Sequence, residues 1–142
     1  MTTASRRALL LALVALPAAA RADAALEAAM REAVGPAEPE EGGMALRLPA
    51  LAENGAQVPL TVTVDSPMTA EQHVVSIHLF ATRNPTPGVA SFHLSPALAR
   101  AEVQTRIRLA EDQQVVALAV LSDGRVLRAT AETRVAVGGC LG

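Results

Sequence analysis

The sequence has one cysteine, two aromatic residues and no lysine. A lone cysteine excludes an internal disulfide, and with it Cys-x-x-Cys redox motifs and cysteine-based zinc sites. With only Phe80 and Phe92 as aromatic residues, the hydrophobic core has to be built from Val, Leu, Ile and Ala. A length of 142 residues fits one domain with a modest core.

All 12 basic residues are arginines, and 14 residues are acidic. If residues 1–22 are removed on export, Arg6, Arg7 and Arg21 are lost, which leaves nine arginines against 14 acids and a net charge of −5. Nucleic-acid binding needs a basic patch. The charge balance therefore argues against nucleic acid as a partner.

Residues 1–24 predict a signal peptide. Its apolar run, Ala8–Leu16, is too short for a transmembrane helix. Ser5–Leu10, with its two adjacent arginines, matches the twin-arginine pattern. Cleavage after Ala22 and cleavage after Ala24 both fit the spacing of small residues, and the leader has no cysteine for a lipoprotein anchor. We expect a periplasmic protein, exported by the twin-arginine route, without a membrane anchor.

After the leader, only one segment has the hydrophobic spacing of a helix. Apolar residues recur every four positions in Ala25–Val34, which predicts a short helix ended by Gly35-Pro36. A polar stretch then leads to the main domain. The predicted organisation is a leader at 1–24, a helix and linker at 25–43, a β domain at 44–137 and a flexible arm at 138–142.

From Met44 the hydrophobic period changes to two, which is typical of half-buried strands. Turn signals such as Asn54-Gly55 and Ser122–Arg125 separate the apolar runs. Without helices between the strands, a parallel α/β sheet is excluded, and an antiparallel β-sandwich is predicted. The predicted strands are Met44–Leu48, Val58–Val64, His73–Phe80, Val89–Leu94, Val103–Leu109, Gln114–Leu121 and Val126–Val137, the last with a break near Glu132. His73–Phe80 is almost wholly apolar and is therefore predicted to be a central strand.

The C-terminal tail places Cys140 among Gly138, Gly139 and Gly142. Glycine has no Cβ, and chain ends move unless they are held, so the three glycines are predicted to act as a hinge. The tail has no cation to lower the thiol pKa, and an unperturbed cysteine with a pKa of about 8.5 is mostly protonated at pH 7. This pattern favours a passive handle over an enzyme nucleophile. An incidental cysteine and an intermolecular disulfide remain open.

The other candidate site residues carry weaker signals. His73, His78 and His93 are the only histidines, and His73 and His78 are five residues apart in a predicted strand, so they would face opposite sides. Hydrogen-bonded or surface histidines explain this spacing better than a metal site. We therefore predict no metal, no cofactor and no catalytic residue.

Six features occur in a characteristic order along nearly the whole chain: the twin-arginine leader, Leu51–Val62, Asp65–Met68, the Arg83-Asn84-Pro85 loop, Thr105–Ala110 and Cys140. None of them is specific alone, but their order, with a cysteine third from the end, is. In this order of features the chain resembles the SoxY family, the sulfur-carrier subunits of periplasmic thiosulfate-oxidising systems.

The resemblance implies an immunoglobulin-like sandwich after a short helix, paired as a heterodimer with a SoxZ subunit. It also implies that Cys140 holds sulfur covalently, with Gly138 and Gly139 as the hinge. Three partner enzymes would act on it in turn: SoxAX couples thiosulfate to the thiol, SoxB releases sulfate, and SoxCD oxidises the remaining sulfur. The chain itself would be a carrier and not an enzyme.

The departure from the family pattern is Leu141, which stands where the family has glycine. A leucine adds bulk beside the thiol, so Leu141 is predicted to decide which partner enzymes accept the arm. Two alternatives remain open: a paralogous carrier for another sulfur substrate, and an immunoglobulin-like binding module with Cys140 in an intermolecular disulfide.

Overall fold

The computed structural model describes residues 17–139, which form one helix and nine strands. Alternating apolar residues produce the longer strands; in β4, for example, Val58, Leu60, Val62 and Val64 are all buried. The elements are α1 Ala18–Val34, β1 Glu40–Glu41, β2 Met44–Arg47, β3 Leu51–Ala52, β4 Val58–Val64, β5 Val74–Ala81, β6 Gly88–His93, β7 Ala101–Ile107, β8 Gln113–Leu121 and β9 Val126–Val135.

Two sheets pack face to face. The larger has the order β1-β9-β8-β5-β6, with β3 also paired to β9, and the smaller has the order β2-β4-β7. The longer strands pair antiparallel, so the predicted β-sandwich is confirmed. The main core lies between the sheets and is aliphatic, with Ile77, Leu79 and Leu109 among its most buried side chains. The strand at 74–81, predicted to be central from its apolar run, lies between β8 and β6.

The helix covers the outer face of the larger sheet. Its side chains pack on a second cluster formed by Phe80, Val116, Leu118 and Val126. The helix begins at Ala18, seven residues earlier than the sequence pattern predicts, because alanines are strong helix formers. All of its residues that pack on the cluster lie at Leu26 or later. No helix within residues 17–139 is long and apolar enough to cross a membrane.

Three features of β9 differ from the sequence prediction. The predicted break near Glu132 is wrong, because β9 pairs continuously with β8 and the exposed Glu132 accepts a hydrogen bond from Gln114 on β8. The two-residue strands β1 and β3 were not predicted, and both pair parallel to β9. Strands this short have no readable period, and β1 lies in the predicted linker. The turn predicted at Ser122–Arg125 is confirmed as the β8–β9 connection.

Candidate functional site: the root of the C-terminal arm

Cys140, Leu141 and Gly142 lie outside the described residues, but the segment that leads to Cys140 is described as far as Gly139. The end of β9 is held on both sides. On one side, Arg134 and Ala136 donate backbone hydrogen bonds to the carbonyl oxygens of Ala50 and Ala52, both at 2.9 Å. On the other, the Val135 amide donates to Asp112 Oδ1 at 2.6 Å. The last strand therefore presents the arm from a fixed position.

After β9 the chain enters a cycle of three backbone hydrogen bonds. Gly55 N donates to Val137 O at 2.7 Å, Leu109 N donates to Gly55 O at 2.8 Å, and Gly139 N donates to Leu109 O at 2.9 Å. The cycle joins the loop before β4, the loop after β7 and the C-terminal segment. We call this group, formed by Gly55, Leu109, Ala110 and residues 137–139, the arm clasp.

The glycines of the arm clasp are required by close contact. A Cβ atom added to Gly139 would lie 2.8 Å from Gly55 O, and one added to Gly55 would lie 2.7 Å from Gly139 N; both are closer than real Cβ contacts. A Cβ atom on Gly138 would collide with Ala110 O. None of the three has a positive φ that would itself demand glycine. The structure thus places Gly138 and Gly139 against the sandwich, whereas the sequence predicted hinge residues; the hinge role remains a prediction.

The loop that carries Leu109 and Ala110 is supported by Asn84. Asn84 Nδ2 donates to Arg108 O at 2.8 Å, and Asn84 Oδ1 accepts from Ala110 N at 3.1 Å. The same oxygen accepts from Nε2 of the buried Gln113 at 2.9 Å, and Gln113 Oε1 accepts from Arg83 N at 2.9 Å. The Arg83-Asn84-Pro85 loop therefore supports one wall of the arm clasp, a contact that its sequence did not predict.

Sequence reasoning also missed the role of Gly55. Asn54-Gly55 is a strong hairpin signal, and Asn54 Oδ1 does accept from Ala56 N at 3.0 Å in a turn. The connection between β2 and β4, however, runs from residue 48 to residue 57 and contains β3, so it is too long for a two-residue hairpin. The length of this connection could have indicated that Gly55 is not a hairpin residue. In the structure Gly55 is buried and contacts another part of the fold.

None of the three histidines belongs to the arm clasp: His73 precedes β5, His78 lies in β5 and His93 ends β6. The Nδ1 atom of His73 lies 3.1 Å from Thr69 O. His78 is buried, with Nδ1 2.7 Å from Ser91 Oγ and Nε2 3.0 Å from Ser76 Oγ. Burial lowers the pKa of His78, and the nearby His93 lowers it further. In residues 17–139 no group of three or more His, Cys, Asp or Glu side chains is arranged to hold a metal ion.

Comparison with known proteins gives a family match and a similar solved carrier protein. A family model described as sulfur oxidation protein SoxY matches residues 30–140. The sulfur carrier protein SoxY from Chlorobium limicola f thiosulfatophilum is 31% identical, with a TM-score of 0.66 over 80% of this chain and 97% of that chain. A search of curated protein sequences found no match.

More distant structures share the fold alone. A superoxide reductase (neelaredoxin) from Ignicoccus hospitalis is 16% identical, with a TM-score of 0.58 over 65% of this chain and 78% of that chain. A protein described as a putative superoxide reductase from Thermotoga maritima is 18% identical, with a TM-score of 0.57 over 69% and 87% of the two chains. At these identities the likeness extends to the sandwich and not to the chemistry.

Proposed function

Because the chain belongs to the SoxY family of sulfur oxidation proteins, we propose that it carries sulfur intermediates covalently on Cys140 and presents them to partner enzymes. The observation that supports this most is the extent of the family match, which runs from residue 30 to the single cysteine. The geometry adds that β9 and the arm clasp lead directly to that cysteine. A thiol that follows two glycines suits a handle that enters another protein's pocket.

The proposed loading reaction joins the thiol sulfur of Cys140 to the sulfane sulfur of thiosulfate. The S–H bond breaks, an S–S bond forms, one proton is released and two electrons pass to a haem partner of the SoxAX kind. A SoxB-like hydrolase then adds water to the terminal sulfonate, which leaves as sulfate while a persulfide stays on Cys140. A SoxCD-like enzyme would oxidise that remaining sulfur. The chain supplies the thiol and its position, and the partners supply activation.

The carrier is proposed to work in the periplasm as a heterodimer with a SoxZ-like subunit, after twin-arginine export. The packing of α1 is compatible with removal of the leader, because the helix residues that pack on the second cluster begin at Leu26. Cleavage after Ala22 or after Ala24 would therefore leave the packed part of the helix in place. Leu141 is proposed to select among partner enzymes, since it adds a branched side chain next to the reacting sulfur.

Intact mass spectrometry of the protein, purified from the periplasm of cells oxidising thiosulfate, tests the covalent role. We expect mass additions of the thiosulfonate and persulfide kinds that disappear on reduction and are absent from Cys140→Ser. Ser122→Ala, which leaves the thiol intact, should keep the adducts. An unmodified thiol under these conditions would contradict carriage.

Non-reducing electrophoresis of the same preparations separates the carrier from a binding module joined through Cys140. A carrier should migrate mainly as a monomer or with a SoxZ-like subunit held without a disulfide. A covalent dimer that is lost in Cys140→Ser would favour the binding module.

A further inference from the structure

The arm clasp limits how far Cys140 can extend from the sandwich. While Gly139 N donates to Leu109 O, the Cα atom of Cys140 is about 3.8 Å from that of Gly139, one peptide unit away. If the clasp opens as far as the Ala136–Ala52 hydrogen bond, residues 137–140 span up to about 14 Å. The closed clasp therefore leaves one residue of free chain before the thiol, whereas the open clasp leaves four and lets the thiol reach into a deep pocket.

The contacts of the arm clasp suit a segment that opens without unfolding the sandwich. Only two of the three hydrogen bonds of the cycle, those of Val137 O and Gly139 N, hold the C-terminal segment, and Val137 is 65% exposed. Such segments open locally at low free energy while the core strands stay closed. Gly55 is in contrast buried and belongs to the sandwich. Its missing side chain provides the space in which Gly139 lies.

We propose that Gly55 is a positioning residue of the carrier: it lets the arm clasp close on Gly139, and opening of the clasp is the step that allows Cys140 to enter a partner's pocket. The inference rests on the proposed carrier function. Asn84 is part of the same arrangement, because its side chain binds the backbone of Arg108 and Ala110 on either side of Leu109. A partner enzyme then meets a carrier whose binding-competent fraction is set by the clasp, and its apparent affinity scales with that fraction.

Amide hydrogen exchange of Gly139, followed by NMR in the mature protein, tests the clasp. In Gly55→Ala the added Cβ would collide with Leu109 O and Gly139 N, so we expect the Gly139 amide to exchange at least tenfold faster. Gly88→Ala is the matched control, because a Cβ there meets nothing within 4 Å. The amides of Leu79 and Leu118 should keep their protection in both variants, which shows that the core is intact.

If Gly55→Ala does not fold, Gly138→Ala provides the same test from the chain end, where its Cβ would collide with Ala110 O. Gly139 exchange equal to that of Gly88→Ala in whichever variants fold would overturn the proposal.

The consequence for function is tested by loading Cys140 with thiosulfate through a haem partner of the proposed kind. An open clasp should lower the KM for the carrier severalfold in Gly55→Ala, with a smaller change in kcat, relative to Gly88→Ala. Faster Gly139 exchange with an unchanged KM would refute the gating role. If Gly88→Ala and the unaltered protein are not loaded either, the carrier function fails and the gating role with it, while exchange still decides whether the clasp exists.

Discussion

Replacing Asn84 with alanine should destabilise the protein by about 2 kcal/mol, since a typical net hydrogen bond contributes about 1 kcal/mol. The substitution removes three hydrogen bonds: one donated to Arg108 O and two accepted from Ala110 N and Gln113 Nε2. The sum of about 3 kcal/mol is reduced because Asn84 is only half-buried and water replaces part of the loss. Gln113 Nε2 also keeps its bond to Glu111 O at 3.0 Å.

Urea unfolding measures this cost directly. With a slope of about 2 kcal/mol per M, typical of a small domain, the midpoint should fall by about 1 M. Asn84→Asp keeps the two accepting interactions and loses the donated one, so its midpoint should lie between those of Asn84→Ala and the unaltered protein. Gln104→Ala, which removes an exposed side-chain hydrogen bond to Glu102, serves as the control. An Asn84→Ala midpoint equal to that of Gln104→Ala would refute the supporting role of Asn84.

Three further predictions use other parts of the molecule. Leu118→Ala should cost about 2–5 kcal/mol because the side chain is fully buried, and Leu98→Ala, at an exposed site, should change the urea midpoint little. Because burial lowers the pKa of His78 in the folded state, the unfolded state binds more protons near pH 6, and the free energy of unfolding should fall as pH drops below about 6.5. A His78→Gln variant should show a flatter pH profile in urea unfolding, and parallel profiles would contradict this. Leu141→Gly should raise the kcat/KM of loading by a haem partner; an unchanged value would remove Leu141 as a selectivity residue.

Most of the strands could be predicted from the pattern of apolar residues in the sequence. Apolar and polar residues alternate in Val58–Val64 because one face of β4 packs on the core, whereas the continuous apolar run of β5 indicated a strand that is buried on both faces. The pattern did not reveal β1 and β3, whose two residues each are too few to show a period. It also suggested a break near Glu132, where the exposed face of β9 simply carries a polar residue.

The arm could be predicted only in part. The sequence identified Cys140, its glycines and the departure at Leu141 without any structure. It did not reveal that Gly55 lies against Gly139, because the two residues are 84 positions apart. Asn84 was equally hidden, since an Asn-Pro dipeptide reads as a local turn whether or not its side chain supports another loop.

The sequence by itself determined the class of fold and located the single cysteine on which the proposed carrier chemistry depends, because a single cysteine and a period of two are local properties of the chain. Only the tertiary structure decided that the glycines before that cysteine are held against the sandwich. Their contacts join Gly55, Leu109 and Gly139, which are far apart in the sequence and are brought together by the pairing of the strands between them. Glycine at 138 and 139 is compatible with both a free hinge and a close backbone contact, and the carbonyl oxygens of Gly55 and Ala110 supply that contact.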